Sequence, residues 1–270
     1  MKQLFTLLFL IASCTAGAQR LITSSFENGV YDSLSFIETC CLYSAVKTAK
    51  HPSSGSFSLR MEIRKSDPSV STGGKRTEIN GNSTNKILGR YNWRWYRMSV
   101  FTPSDSNATD LPGKEFVMGQ FKQPSTGGVQ TGGSPPFAFV VEGNNVYADI
   151  RWATAANPDN NRASNLRRYY VGSRGLDSTI HYVVDYQRSS NPDGVIRIWR
   201  NDILVVNDTG RNYFEGAGIP STKWGIYRYV WSNANYGGSA TPCNVIYLDD
   251  IGLFGLNSTY SDVAVFTEKR

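Results

Sequence analysis

We expect an all-β fold, a sandwich or jelly roll, on the basis of three features of the 270-residue sequence. Short segments in which apolar and polar residues alternate recur along the chain, and turn-forming residues separate them. No apolar pattern with a helical period persists for the roughly 12 residues that would indicate a helix. Aromatic residues make up 13% of the chain and charged residues only 19%, which excludes a disordered chain and a helical bundle.

The alternating segments give the expected strands in chain order. They lie at residues 56–64, 94–102, 116–122, 137–142, 146–152, 181–188, 194–200, 223–229 and 245–254. We predict two long loops, one at 124–136, which is rich in Gly, Ser, Thr and Pro, and one at 153–165, which is rich in Asn. No linker or repeat divides the chain after the first residues, so we expect residues 19–270 to form one domain.

Residues 1–18 have the pattern of a secretory signal peptide. Lys2 is followed by an apolar run over 4–12 and by Ala16-Gly17-Ala18, so we expect cleavage before Gln19 and a secreted, extracellular protein. The apolar run is too short to cross a bilayer, and no later stretch approaches the roughly 20 apolar residues that a membrane span requires.

A lipoprotein signal is the alternative interpretation of the same segment. The small residues Ala12 and Ser13 precede Cys14, which would carry the lipid and anchor the chain to the cell surface. No acidic or Ser-rich tether follows Cys14, so we favour cleavage and expect no membrane association without lipidation.

The chain is basic, with a net charge of +6 from 28 Lys and Arg against 22 Asp and Glu. Removing residues 1–18 takes away only Lys2, so the mature protein keeps 27 against 22, or +5. This excess favours an anionic partner. We expect no nucleic-acid partner, because the chain is exported and shows no known nucleic-acid-binding motif.

Three cysteines remain in the mature chain: Cys40, Cys41 and Cys243. An oxidising compartment favours one disulfide, and we predict that it joins Cys243 to Cys40 or Cys41. A bond between the adjacent pair would need a strained ring. Three cysteines with no histidine nearby make a poor zinc site.

Polar side chains share a face on two of the expected strands and on a further strand expected at residues 75–80. Alternation aligns Arg76, Glu78 and Asn80 on one strand, Gln120 and Lys122 on a second, and Tyr227 and Tyr229 on a third. If these strands are neighbours, one concave face presents them together with few acids, which suits a polyanion. The structural alternative is an ordinary solvent face on which Arg76 and Glu78 make a cross-strand ion pair.

An ordered set of motifs resembles the jelly-roll polysaccharide lyases. The motifs are Arg76-Thr77-Glu78-Ile79, Trp95-Tyr96-Arg97-Met98-Ser99-Val100-Phe101-Thr102-Pro103, Gly119-Gln120-Phe121-Lys122, Asp193-Gly194-Val195-Ile196-Arg197-Ile198-Trp199 and Lys223-Trp224-Gly225-Ile226-Tyr227-Arg228. Together they cover about residues 55–255. The resemblance implies a concanavalin-like jelly roll of two antiparallel sheets with a concave substrate cleft.

Many of these lyases have Gln-x-His where this chain has Gln120-Phe121-Lys122. In this respect the sequence is most similar to the ulvan lyases of polysaccharide lyase family 28, in which a lysine and a tyrosine form the catalytic pair. The resemblance implies that Lys122 and Tyr227 are catalytic and that Arg76 and Gln120 bind the uronate carboxylate. The implied partner is ulvan, a sulfated algal polymer that contains uronic acids.

β-Elimination requires these residue types. Loss of the C5 proton places negative charge on the uronate carboxylate, which donors such as Arg76, Gln120 or Asn80 would stabilise. Tyr227 can protonate the departing oxygen, and Lys122 can act as the base if crowding by Arg76 and Arg228 lowers its pKa from about 10.4. Alternatively, Lys122 stays charged and neutralises the carboxylate while Tyr227 makes both proton transfers.

Further residues are expected to contact the substrate or a metal. Glu78, Arg151, Arg197, Arg228 and Tyr229 are the additional substrate-binding candidates, since guanidinium groups match sulfate and carboxylate in a bidentate way. The acids Glu27, Asp249 and Asp250 are candidate ligands of a structural calcium ion, with ordinary turn acids as the equal alternative. We expect no cofactor for catalysis.

Other functions are also compatible with the sequence. Glucuronan and alginate are alternative substrates, and a non-catalytic carbohydrate-binding module of the same fold is an alternative of another class. A glycoside hydrolase would need two carboxylates in the cleft, and the cleft motifs supply only Glu78. We expect the protein to be a monomer.

Overall fold

The computed structural model describes residues 20–29, 36–70, 74–81, 93–105, 115–124, 133–158, 165–232 and 242–266. The signal segment, including Cys14, lies outside these ranges, as does most of the predicted loop at 124–136. Over the described ranges, no helix has the length and apolar character needed to span a membrane.

Strands make up nearly all of the regular structure. Their bounds are β1 Arg20–Ser24, β2 Phe36–Glu38, β3 Ala45–Thr48, β4 Ser58–Arg64, β5 Lys75–Asn80, β6 Trp93–Phe101, β7 Phe116–Lys122, β8 Phe137–Glu142, β9 Asn145–Arg151, β10 Leu166–Ser173, β11 Thr179–Gln187, β12 Val195–Arg200, β13 Ile203–Thr209, β14 Ser221–Arg228 and β15 Cys243–Gly255. A short 3-10 helix follows β14 at Tyr229–Ser232, and a single helical turn, α1, spans Tyr260–Val263.

The strands form two antiparallel sheets. A seven-stranded sheet has the order β10-β9-β8-β7-β14-β5-β2. An eight-stranded sheet has the order β13-β12-β11-β6-β15-β4-β3, and β1 pairs with β15. The predicted all-β jelly roll of two antiparallel sheets is therefore confirmed.

The core lies between the two sheets and is rich in aromatic side chains. Tyr96 of the eight-stranded sheet stacks on Trp224 of the seven-stranded sheet, with ring centroids 5.1 Å apart. Phe121 stacks on Phe137 at 4.5 Å and contacts Trp93 edge to face at 4.8 Å. Such contacts bury large apolar areas and fix how the two sheets sit on each other.

The disulfide differs from the prediction. Cys40 and Cys41 are bonded to each other and not to Cys243, so the predicted bond to Cys243 is wrong. Cys243 begins β15 in the eight-stranded sheet, where pairing with Arg64 of β4 holds it in register. The adjacent cysteines follow the edge strand of the other sheet, in a turn that brings their sulfur atoms together.

Candidate active site

The outer face of the seven-stranded sheet carries a cleft of about 400 Å³. Six of the predicted site residues line it: Arg76, Gln120, Lys122, Arg151, Tyr227 and Tyr229. They come from four strands and the first residue after β14, and β5, β14 and β7 are neighbours in the sheet. The polar faces that alternation predicts for the separate strands thus lie side by side in the structure.

An irregularity in β7 positions the end of that strand. Its register against β8 shifts between Val117 and Gly119, so the simple alternation is interrupted there. Val117, Gln120 and Lys122 face the cleft, whereas Met118 and Phe121 face the core. Gly119 passes over Tyr96, whose hydroxyl would be 2.6 Å from an added Cβ, and this close approach requires glycine.

Tyr227 is held on both sides of its ring. It is the register partner of Arg76 on β5, whose guanidinium carbon lies 4.1 Å from the ring centroid. An apolar patch of Val117, Ala138 and Val140 on β7 and β8 packs against the ring from the cleft floor. Burial raises the pKa of Tyr227, and the nearby Arg76 charge opposes this rise, so the phenol is protonated at neutral pH.

Gly74 determines whether the Tyr227 ring can occupy this place. Its φ is +95°, and an added Cβ would lie 2.3 Å from Cε2 of Tyr227. We expect Gly74→Ala to displace the ring and to lower activity at least about tenfold, on top of a backbone cost of about 1–3 kcal/mol in folding stability. Initial rates and urea unfolding measure the two effects.

Gly29→Ala is the matched control for backbone strain. Gly29 has φ +134°, yet an added Cβ would meet no atom of the described residues within 4 Å. It should therefore lose stability without losing activity per folded molecule. Equal activity in the two variants would show that the contact of Gly74 with Tyr227 is unimportant.

Two carboxylates organise the donors of the cleft. Glu78, only 1% exposed, accepts hydrogen bonds from Nε2 of Gln120 at 2.6 Å and from Nη1 of Arg76 at 3.3 Å. Lys223 of β14 lies 3.6 Å from the same carboxylate. Glu78 therefore lies beneath the donors and orients them, and it does not face the substrate as predicted.

Glu38 is the second carboxylate, and sequence reasoning missed it. It accepts from Nζ of Lys223 at 2.6 Å, from Nη1 of Arg76 at 3.2 Å and from Nδ2 of Asn80 at 3.4 Å. Burial alone would raise the pKa of Glu38, but the charges of Lys223 and Arg76 together hold it below its usual range. Asn80 thus bonds to Glu38 and lies outside the cleft lining.

The prediction of a cleft with few acids is wrong. Glu38 and Glu78 neutralise Arg76 and Lys223, and Asp149 lies 2.7 Å from Nη2 of Arg151. The hydroxyl of Tyr229 donates a hydrogen bond to Glu115, which also lines the cleft. None of the three acids Glu38, Glu115 and Asp149 belongs to a motif that the sequence singled out.

Lys122 is the exception among the cleft cations. Its Nζ donates a hydrogen bond to the carbonyl oxygen of Gly133 at 2.6 Å, and no carboxylate of the described residues lies within ion-pair distance. Burial lowers the pKa of Lys122, and the charges of Lys223 and Arg76 lower it further. The crowding expected from Arg228 comes instead from Lys223.

Two predicted substrate contacts lie elsewhere. Arg228 is 1% exposed, and its Nη1 donates to Oδ1 of Asn244 at 2.7 Å, because alternation turns it away from Tyr227 and toward the interior. Arg197 belongs to β12 of the eight-stranded sheet and pairs with Asp185 at 3.0 Å. The expectation that these two arginines line the cleft is therefore wrong.

The predicted calcium ligands lie around the loop at 53–57. Oδ2 of Asp249 accepts from the amides of Ser53 and Ser54 at 2.7 and 2.9 Å, and Oδ1 of Asp250 accepts from Oγ of Ser54 at 2.8 Å. Glu27 accepts from the amides that follow, at residues 56 and 57. Within the described ranges, the three acids do not gather their oxygens within 4.8 Å of one another.

Known proteins with similar sequence or structure place this cleft in context. A family model described as polysaccharide lyase matches residues 26–252. No curated protein gives a significant sequence match. The fold is similar to that of the endo-β-1,4-glucuronan lyase from the fungus Trichoderma reesei, with a TM-score of 0.71 and 15% identity over 90% of this chain and 98% of that chain.

Two further structures share the fold at low identity. The alginate lyase AlgAT5 of polysaccharide lyase family 7 has a TM-score of 0.50 and 14% identity, over 79% of this chain and 82% of its own. The binding domain of botulinum neurotoxin DC, in complex with rat synaptotagmin II, has a TM-score of 0.53 and 8% identity, over 91% and 50%. That structure is a binding domain, so a protein with this fold need not be an enzyme. The match to the family model extends over most of the sequence, and it shows that this chain belongs to the polysaccharide lyases.

Proposed function

We propose that the protein cleaves ulvan by β-elimination and releases oligosaccharides that end in an unsaturated uronic acid. The observation that carries the proposal is the cleft itself, where Lys122, without a carboxylate partner among the described residues, lines the same pocket as Tyr227 and Gln120. A cation with no ion-pair partner among the described residues is suited to a substrate carboxylate or to the proton next to it.

In the proposed reaction, Arg76 and Gln120 hold the uronate carboxylate, both oriented by Glu78. Neutral Lys122 takes the proton from C5, and the electrons form the C4–C5 double bond as the bond from C4 to the glycosidic oxygen breaks. Tyr227 gives its phenolic proton to that oxygen. The pKa directions support these roles, since burial keeps Tyr227 protonated and favours the neutral form of Lys122.

The choice of ulvan rests on the lysine in Gln120-Phe121-Lys122 and on the excess of basic residues in the chain. Glucuronan is the second candidate, because the Trichoderma reesei glucuronan lyase has a similar fold. A panel of ulvan, glucuronan, alginate and heparin, followed at the ultraviolet absorbance of the new double bond, separates them. Ulvan should give the highest rate, and turnover of another polymer alone would reassign the substrate.

A non-catalytic carbohydrate-binding module is the alternative of another class. It would bind one of these polymers and form no unsaturated product, so the same panel decides between binding and cleavage.

We also propose that the enzyme is secreted as a monomer. Mass spectrometry of the mature N-terminus should find Gln19, and light scattering should give the mass of one chain.

We further propose a structural calcium ion at Asp249 and Asp250. Burial and the adjacent Asp250 charge raise the pKa of Asp249 to about 7, and Oδ2 of Asp250 is buried without a hydrogen-bond partner among the described residues. A divalent cation would relieve both conditions. Glu27 would hold the neighbouring loop through its amides and would not bind the ion directly.

Removing the ion should destabilise the protein. We expect a chelator to lower the melting temperature by several degrees, and added calcium to restore it, because a bound ion stabilises only the folded state. Asp250→Asn should abolish this response. If the chelator leaves the melting temperature unchanged, the proposal of a structural calcium ion is wrong.

A further inference from the structure

The seven-stranded sheet continues beyond the cleft to its edge strand β10, where two tyrosines face the side of the catalytic residues. Tyr147 of β9 and Tyr170 of β10 are register partners, with ring centroids 5.9 Å apart. Alternation along β9 puts Tyr147 on the same face as Asp149 and Arg151, which line the cleft. We call this pair the tyrosine platform; it extends the cleft face outward.

The Tyr170 side chain is exposed although the strand that carries it is well packed. Tyr170 is 57% exposed, whereas its neighbours Tyr169 and Val171 pack against or within the core. Contiguous apolar patches at the surface mark binding sites more often than singly scattered apolar residues do, and the adjacent rings of Tyr147 and Tyr170 form such a patch. Because the platform is continuous with the cleft, the ligand most suited to it is the same chain that enters the cleft.

Arg168, the cation next to the platform, is already neutralised. Arg168 lies 5.5 Å from the Tyr147 ring centroid and contacts three carboxylates, those of Asp149 at 2.6 Å, Glu115 at 3.3 Å and Glu142 at 3.4 Å. Within the part of the chain that the structure describes, the platform therefore offers aromatic faces and no unneutralised cation. This chemistry suits the C–H face of a sugar ring better than a carboxylate or sulfate group.

The platform is also distant from the scissile bond. Four steps in the order β10-β9-β8-β7-β14 separate Tyr170 from Tyr227, which amounts to about 19 Å at the usual strand spacing. We propose that the tyrosine platform binds a sugar ring of the polysaccharide by stacking, several units from the bond cleaved at Tyr227. This inference rests on the proposed function, and it makes the enzyme one that binds a long stretch of the polysaccharide.

The test compares long and short substrates. For Tyr170→Ala we expect the KM for polymer to rise about three- to tenfold with kcat unchanged, since truncating an aromatic contact of this kind typically costs about that much in affinity. Short oligosaccharides, which cannot reach the platform, should be cleaved with unchanged kcat/KM. Tyr170→Phe, which keeps the ring, should keep the polymer KM.

Ile203→Ala is the matched control, because Ile203 is 67% exposed on the edge strand β13 of the other sheet. This variant should leave the kinetic constants unchanged for both the polymer and the short oligosaccharides. An unchanged polymer KM in Tyr170→Ala overturns the platform, and so does an equal loss on short oligosaccharides.

A second readout keeps this inference separate from the proposed function. If the wild type forms unsaturated product from none of the polymers, the proposed function fails. Migration of wild type and Tyr170→Ala in native gels that contain each polymer then tests the platform alone. Weaker retardation of Tyr170→Ala supports it, and equal or absent retardation overturns it.

Discussion

Tyr227→Phe is expected to lower kcat about a thousandfold while leaving the protein folded. The substitution removes only the hydroxyl, so the contacts of the ring with Arg76 and with the patch of Val117 and Val140 remain. General acid catalysis typically contributes 10²- to 10⁴-fold, and this variant loses the proton donor for the departing oxygen. Initial rates from the double-bond absorbance measure the loss.

Tyr229→Phe is the matched control for this experiment. Tyr229 lines the same cleft, its ring centroid is 5.9 Å from that of Tyr227, and its hydroxyl donates to Glu115. We expect its rate to stay within a few fold of the wild type, because no proton transfer is assigned to it. A Tyr227→Phe enzyme that is as active as Tyr229→Phe would remove Tyr227 from the mechanism.

Lys122→Met is expected to lower kcat at least about a hundredfold, because the variant has no base at the C5 proton. Lys122→Arg tells the two possible roles apart. Arginine keeps the positive charge but does not become neutral near physiological pH, so it would preserve a charge neutraliser and inactivate a base. We expect Lys122→Arg to be as inactive as Lys122→Met. Lys50→Met, at an exposed turn, controls for the loss of one positive charge.

The pH profile follows from the same assignment. A base must be unprotonated, so kcat/KM should rise as the pH increases through the pKa of Lys122, which burial and the neighbouring cations place below its usual range. It should fall again when Tyr227 loses its proton, above the usual tyrosine pKa because burial raises it. A profile without the rising limb would contradict the role of Lys122 as the base.

The strands that the sequence predicted well are those in which one face is buried and the other polar. β9 and β12 lie within one residue of the predicted bounds 146–152 and 194–200, because apolar and polar positions alternate along most of each. β10 and β13 were missed, because their pairs Arg167-Arg168, Tyr169-Tyr170 and Val205-Val206 hide the alternation. Short strands such as β2 carry too few residues for any period to appear.

The site was predicted where its residues share a strand and missed where pairing between distant strands creates it. Arg76, Gln120, Lys122 and Tyr227 lie in motifs, and alternation alone assigns their faces. Glu38 reaches the site because β2 pairs with β5. No local sequence pattern predicts this pairing. Arg228 shows the opposite error, because it follows Tyr227 in the sequence but lies on the other face of the strand, where it bonds to Asn244.

The pairing of cleft cations with carboxylates has a consequence for ionic strength. Arg76, Lys223 and Arg151 each have an acidic partner within 3.2 Å, so few of the chain's excess positive charges are available in the cleft to attract a polyanion over long distances. Recognition then depends on short-range contacts in a partly buried site, which dissolved salt screens weakly. The KM should therefore rise only a fewfold between about 0.05 and 0.5 M salt, far less than expected for a cleft lined with free cations.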